Sequence, residues 1–571
     1  MKNKIYEGQK LNNFKELINL YKTKYKKLTA FEYKESPNAK KHIKITYLQF
    51  AKDIENLGTS LLKLGFKRVA LIGDNRYEWF VSYLAITTAG MTVVPLDKSL
   101  PDNEIFSLIE RSQSDAIIYC NKYSNVVSQY QNIHKNFTPI DMDSTYFHEL
   151  IKKGNKSSHK KYDNIEIDNN SMSVMLFTSG TTSTSKAVML SQHAICMDLY
   201  ALSQMIEITP HDKFLSFLPL HHVFESTTTF LFGSSCGITI AICDGLKYIQ
   251  QNLVEYKITG FVCVPLMLEI MYKKILKNIE KQHKTFLINM LRKIFRRASI
   301  NTKRKIFKPI IDGLGGKLRI IITGGAAMDL ETLQGYNDFG FDIHQGYGLT
   351  ETSSVVAGEN SFSKKVGSVG FPLPTVTIKI DSPDKNGIGE IIVKTPAIML
   401  GYYENEKATN EALVDGWFHT GDTGYIDKDG FVFITGRKKD MIVLKNGKKV
   451  FPEEIESLIN KLPYVSESMV FGHIDNSKSD RNSDTVLYAK IVYKEDELSH
   501  SFSNDNVKNN NSSDLYYDKV LNDIKTKINK QMPAYKYIRN IIITDIPLIK
   551  TTTQKIKRNE ELKLIESNNS L

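Results

Sequence analysis

The 571-residue chain is short of several things, and each shortage removes a class of protein. Five cysteines (Cys120, Cys196, Cys236, Cys243, Cys263) are scattered, odd in number and never in CxxC spacing. That pattern argues against a disulfide framework or a zinc site and for reduced thiols in a cytoplasmic compartment. The opening MKNKIYEGQK has no apolar h-region, so no secretory signal is expected. No run nears the roughly 20 apolar residues of a membrane span, and Phe230 to Cys243 is too short and too polar. Internal repeats are absent. Acidic residues are missing altogether between Lys281 and Ile310, against ten lysines and arginines.

What remains is an ordinary globular composition, 41% apolar and 24% charged, long enough for more than one domain. The net charge is +12, concentrated in that basic stretch. There Leu287, Leu291, Ile294 and Ala298 share a helical face, with Arg292, Lys293, Arg296 and Arg297 largely off it. Two readings stand: a helix packed on its own domain with a solvated basic face, or a peripheral contact with an anionic membrane through 281–310. No recognition motif accompanies the charge, so nucleic acid is not expected as a partner.

The stretch Leu176 to Leu190 carries most chemical information. Two apolar, strand-like runs flank Thr178, Ser179, Gly180, Thr181, Thr182 and Lys186, a tract of hydroxyls with one glycine and one ammonium. Backbone N–H groups, hydroxyl donors and a cation together suit a polyphosphate; a plain Ser/Thr-rich turn is the alternative. A Walker P-loop is excluded, because its second glycine is Ser185 and its metal-binding hydroxyl is Ala187.

From Val69 to Cys120 the runs VALIG, TVVPL and AIIYC alternate with helical segments, and RIIITGG continues the theme past Ile320. This predicts an α/β N-terminal portion of parallel-rich sheets with helices. After about Thr375 the pattern becomes strand–turn–strand, with a hairpin at Asp429-Gly430, which predicts a small antiparallel or barrel-like subdomain. Beyond a charged turn near Arg437 to Asp440, PEEIESLINKL reads as a helix started by Pro452, and TVLYAKIVY and RNIIITDIPL as strands. A compact α+β C-terminal domain follows. His500 to Ser513 is asparagine-rich and predicts a flexible insertion.

Eight motifs occur in order: TSGTTSTSKAV, LPLHHVFE, TGGAAM, GYGLTE, GEIIVKTPAIMLGYY, GWFHTGD, GRKKDMIVLKNGKKVFPEEIE and TTTQKIKR. The chain thereby resembles the AMP-forming acyl-CoA synthetases, most like the long-chain fatty acid–CoA ligases, over nearly its full length. The resemblance implies an adenylation domain over 1–437 and a mobile domain over 438–571. It implies fatty acid and CoA as partners, ATP and Mg²⁺ as cofactors, and two steps: acyl-AMP with pyrophosphate release, then transfer to CoA. A ligase loading a carrier protein and a non-catalytic relic of the fold are the alternatives.

The same resemblance assigns roles. Residues 178–182 and Lys186 hold the phosphates; Glu351 binds Mg²⁺, with Thr350 beside it; Tyr347 and Gly348 meet the adenine. Asp422 clamps the ribose with help from Arg437. Gly325 and Ala326 of TGGAAM let nucleotide and acyl chain approach the backbone, and His222 lies near the acyl carboxylate. Lys555 is the catalytic lysine, Lys439 the hinge, and Gly447 lines the CoA tunnel. Taken alone, Tyr347, Asp422, His222 and Lys555 would each read as structural or surface residues. Ser183, Ser185, Ala187 and Gln554 depart from the family, which usually has glycine, proline, glycine and glycine there.

Overall fold

The computed structural model describes residues 5–156, 158–178, 185–444, 448–474, 485–494, 512–551 and 555–567. Three large sheets organise the chain up to Arg437. The first has seven strands: Gly401–Tyr402, Lys186–Leu190, Val174–Thr178, Thr92–Pro95, Arg68–Ile72, Ala116–Tyr119 and Thr138–Asp141, in that spatial order. Its last five strands pair in parallel, and their side chains (VALI, TVVP, AIIY) are buried on both faces, as helix-covered parallel strands require.

The second sheet has nine strands, and six of them, from Asp342–Tyr347 through Ile320–Gly324, Gly260–Cys263, Lys213–Ser216 and Thr239–Ile242 to Thr29–Tyr33, are parallel. The fold is therefore the mixed α/β arrangement with parallel-rich sheets that the strand–helix alternation predicts.

The third sheet is antiparallel: Thr377–Asp381, Gly389–Lys394, Trp417–Ile426 and Leu413–Val414, with Val432–Arg437 also on Trp417–Ile426. It stays open and closes no barrel among the described residues. The Asp429-Gly430 hairpin is present: the Asp427 carboxylate accepts from the amides of Asp429 and Phe431, and Gly430 takes φ 90°.

After Arg437 the chain builds a three-stranded sheet, Val465–Ile474, Thr485–Tyr493 and Ile538–Thr544, with the helix Pro452–Ile459 on it. Pro452 starts that helix and Glu453 and Glu454 fill its first turn, as expected. Most of the asparagine-rich insertion lies outside the described residues, but Ser512 and Ser513 already belong to a helix, Ser512–Asp523.

Candidate active site

The hydroxyl loop is strung between two paired strands. Val174–Thr178 and Lys186–Leu190 run antiparallel with Thr178 opposite Lys186, and the Thr178 hydroxyl donates to the Lys186 carbonyl at 3.3 Å. Ser179, Gly180, Thr181, Thr182 and Ser183 lie outside the described residues, as do Gly447 and Gln554. Ser185, at the family's proline position, is gripped by Arg111, whose guanidinium donates to its hydroxyl at 2.9 Å and to its carbonyl. Arg111 also packs over the Phe177 ring at 5.2 Å. Ala187 is buried in the strand, where its carbonyl accepts from Tyr403 at 2.8 Å. Nothing in the sequence pointed to Arg111.

The short strand Gly401–Tyr402 pairs with Lys186–Leu190 and brings Tyr402 beside Lys186, whose ammonium sits 4.5 Å from the ring centroid. The Tyr402 hydroxyl donates to Glu351 Oε1 at 2.8 Å, and the Glu351 carbonyl accepts from Met399 at 2.8 Å. Lys186, Tyr402 and Glu351 thus form one chain from the hydroxyl loop to the Glu351 carboxylate. Tyr402 lay inside a quoted motif, yet nothing but its fold position marks it.

Parallel pairing sets Gly324 against Gly346 and so places TGGAAM beside GYGLTE. Both lie at the carboxyl ends of parallel strands, where open α/β sheets form their ligand crevices. Gly325 adopts φ 82° with open space around it, and Gly325 and Ala326 are exposed. At Gly348 a Cβ would lie 1.8 Å from the Ser354 carbonyl, so this fold-back admits glycine alone. Thr350 and Glu351 occupy the 3₁₀ turn that follows, Thr350–Thr352.

Antiparallel pairing places Asp422 opposite Arg437. Arg437 Nε contacts Asp422 Oδ1 at 2.8 Å, the Tyr347 hydroxyl donates to Oδ2 at 2.6 Å, and the Thr420 hydroxyl accepts from the Asp422 amide at 3.0 Å. Burial and then the Asp422 charge push the Tyr347 phenol well above its usual range, so it stays a donor. Expected as an aromatic face, Tyr347 also orients this carboxylate.

Lys555 enters the same neighbourhood from the C-terminal part of the chain. Its amide donates to the Thr551 hydroxyl at 3.1 Å and its carbonyl accepts from the Thr551 amide at 2.8 Å. Nearby in the chain, Lys550 pairs with Glu467 at 2.6 Å, and Arg558 forks onto Glu456 at 2.8 and 2.6 Å. Protein crowding around the cleft, and then Arg437, lower the proton affinity of Lys555, while Asp422 and Glu351 act the other way. The residue keeps solvent access, so its hydration is weakened without being lost. Lys439 is likewise lowered, first by desolvation and then by Arg437.

His222 is half-buried and accepts from the Phe224 amide at Nδ1, 3.2 Å, which leaves Nε2 with the ring proton. Desolvation and then the Lys555 charge bring its pKa to about 3, so the imidazole is neutral across the physiological range. Behind it Glu225 is fully buried and accepts from the Ser216 and Thr229 hydroxyls at 2.6 and 2.8 Å. Burial lifts this carboxyl to about 8. A small apolar cavity opens beside Phe224, lined by Phe232, Ile322, Val355 and Leu373. On the antiparallel sheet, His419 and Asp381 approach Glu390, but Lys438 takes a Glu390 oxygen at 2.8 Å, so this cluster reads as an ion-pair network.

Comparisons with known proteins give the family and the fold. A family model described as "AMP-binding enzyme" matches residues 22–403, and one described as "AMP-binding enzyme C-terminal domain" matches 439–480. Long-chain fatty acid–CoA ligase 5 of Mus musculus is 28% identical over 580 residues, covering 92% of this chain and 83% of its own. A chloroplastic long-chain-fatty-acid–[acyl-carrier-protein] ligase of Arabidopsis thaliana is 26% identical, covering 75% of this chain and 71% of its own. Among solved structures, ATP-bound MatB from Rhodopseudomonas palustris superposes with a TM-score of 0.77 at 21% identity, over 98% of this chain and 99% of that one. The chain belongs to the AMP-binding enzyme family, and its similar curated relatives include long-chain fatty acid–CoA ligases.

Proposed function

We propose that this protein activates a fatty acid with ATP to an acyl-adenylate, releasing pyrophosphate, and then transfers the acyl group to CoA. The observation that carries the reading is the convergence of Lys555 with Asp422, Arg437, Glu351 and His222, residues up to 333 positions apart: the first three act electrostatically on Lys555, and Lys555 adds to the burial that holds His222 neutral. The carboxylate oxygen attacks the α-phosphorus as the bond to pyrophosphate breaks. The Lys555 ammonium then stabilises the growing negative charge, a contribution of the electrostatic kind. Asp422 and Arg437 fix the ribose, Thr350, Lys186 and the 178–182 segment hold phosphates, and neutral His222 donates from Nε2 towards the acyl carboxylate. Glu351, held by Tyr402, would hold Mg²⁺, which neutralises phosphate charge when bound.

The chain divides in this reading into an adenylation domain, 1–437, and a mobile domain, 438–571, turning about Lys439 so that Gly447 meets CoA. A fatty acyl substrate is supported by the curated relatives' names. A carrier-protein acceptor is the second reading, favoured by the Arabidopsis relative's name. An anionic membrane contact through 281–310 suits a lipid substrate.

ATP–pyrophosphate exchange with a panel of fatty acids, with and without CoA, tests these statements. Acid-dependent exchange with CoA-dependent thioester supports the ligase. Exchange without thioester moves the acceptor to a carrier protein, and no exchange with any acid reduces the chain to a relic.

A further inference from the structure

The helix Thr285–Phe295 is apolar on two sides, not one. Its inner side, Ile288 and Leu291, packs on the domain core, and Arg292 turns inward to Asp338 at 3.2 Å and over the Phe339 ring at 5.4 Å. The face drawn from sequence through Leu287, Leu291 and Ile294 is therefore split, with Leu291 inside and the other two out. The outer side carries Phe286, Leu287, Met290 and Ile294, exposed by 84%, 47%, 40% and 62%. Phe286, Met290 and Ile294 follow i, i+4, i+8 spacing and form one ridge. Exposed Lys284, Lys293, Arg296 and Arg297 flank it.

A ridge of large apolar side chains turned outward is a surface that soluble proteins ordinarily avoid. Its occupant is constrained by charge. The cations that flank the ridge, Lys284, Lys293, Arg296 and Arg297, have no acidic residue among them, so a second copy of the same face would set like charge against like. A negatively charged lipid surface offers both complements at once: an acyl boundary for the ridge and headgroup charge for its flanks. With 11 residues the helix is about 16 Å long, far too short to span a bilayer, and fits lying in the interface. We propose that Thr285–Phe295 is a peripheral docking helix for anionic membranes, inserting Phe286, Met290 and Ile294 between headgroups. This goes beyond the ligase reading and does not depend on it, because docking is measured without substrates.

The test is co-sedimentation of the full chain with phosphatidylcholine vesicles, with and without phosphatidylserine. The expected result is salt-sensitive binding to the phosphatidylserine vesicles alone. Each basic residue near such a surface contributes about fivefold in partitioning, so Lys293→Gln/Arg296→Gln/Arg297→Gln should bind about a hundredfold more weakly. Phe286→Ser/Met290→Ser/Ile294→Ser should lose binding even at low salt. Both variants should keep the wild-type melting profile, since every changed side chain is exposed. No sedimentation with phosphatidylserine vesicles overturns the proposal, as does equal binding to uncharged ones or binding unchanged in either variant. A concentration-dependent oligomer that the apolar variant abolishes would assign the ridge to a second copy instead.

Discussion

The Tyr347 hydroxyl donates to Asp422 Oδ2 at 2.6 Å, on the far side of the carboxylate from Arg437, which holds Oδ1 at 2.8 Å. Both oxygens of the Asp422 carboxylate are thus engaged by the protein itself, each with a lone pair left to accept from a further hydroxyl. The carboxylate is fixed in one plane before it binds anything.

Replacing the phenol should therefore loosen ATP without removing the clamp. A hydrogen bond to a charged group contributes about 1.5–3 kcal/mol. Tyr347→Phe should raise the KM for ATP by roughly ten- to a hundredfold, at the upper end if the whole contribution is spent on orientation. Asp422→Asn should cost more, because it turns one of the two acceptor oxygens into a donor and removes the charge that pairs with Arg437. Steady-state kinetics decide the matter; an unchanged KM in Tyr347→Phe would leave the phenol a packing group only.

Lys555 carries a sharper expectation. Lys555→Ala should slow acid-dependent pyrophosphate release by about 10²–10³-fold, and should largely spare thioester formation from preformed acyl-AMP. Its proton affinity is lowered, and the ammonium is the working form, so charge is lost earlier as pH rises. The alkaline limb of kcat/KM for ATP should fall below the usual lysine range. Lys555→Arg should carry that limb upward, because guanidinium does not titrate there. Equal loss of both half-reactions in the alanine variant would refute the assignment.

Glu225 links the site to stability. Its folded pKa of about 8 stands above its ordinary 4.5, so the folded state holds a proton that the unfolded state has released. The sign follows: this group's stabilising contribution is complete below about 4.5 and is lost as pH climbs through about 8. Glu225→Gln cannot titrate. Its melting temperature relative to wild type should rise steadily over that window and then level off. A difference independent of pH would show that Glu225 is ionised in the folded protein.

Arg111 holds Ser185, a departure from the family at the downstream end of the hydroxyl loop. With serine where the family usually has proline, the loop's downstream end lacks a rigid residue, and Arg111 clamps that serine by hydroxyl and carbonyl. Arg111→Ala should lower kcat/KM for ATP by about tenfold and leave transfer from acyl-AMP untouched. Parallel loss in both steps would point to misfolding rather than to loop positioning.

Much of this was legible in the chain because its signals are local. VALIG, TVVPL and AIIYC specify buried parallel strands through short, largely apolar runs rich in β-branched residues, and the Asp429-Gly430 turn specifies its hairpin through one left-handed residue. Pro452 and its two glutamates mark a helix start wherever they occur. The barrel-like subdomain was read less well, since closure depends on how edge strands meet, which strand–turn–strand patterning does not encode.

The ordered motifs, through the family they resemble, marked Lys186, Glu351, Asp422, Arg437 and Lys555 as candidates, since a series of short, chemically distinctive segments survives without coordinates. The partnerships were decided only by tertiary structure. Tyr402 reaches Glu351 because a two-residue strand pairs with Lys186–Leu190, and Arg111 reaches Ser185 across 74 positions. Leu291 faces inward and Ile294 outward because the core takes one side of a helix that is apolar on two. A side chain's type is written in the sequence, but its partner is set by long-range packing, and that packing is where proton affinities and orientation are fixed.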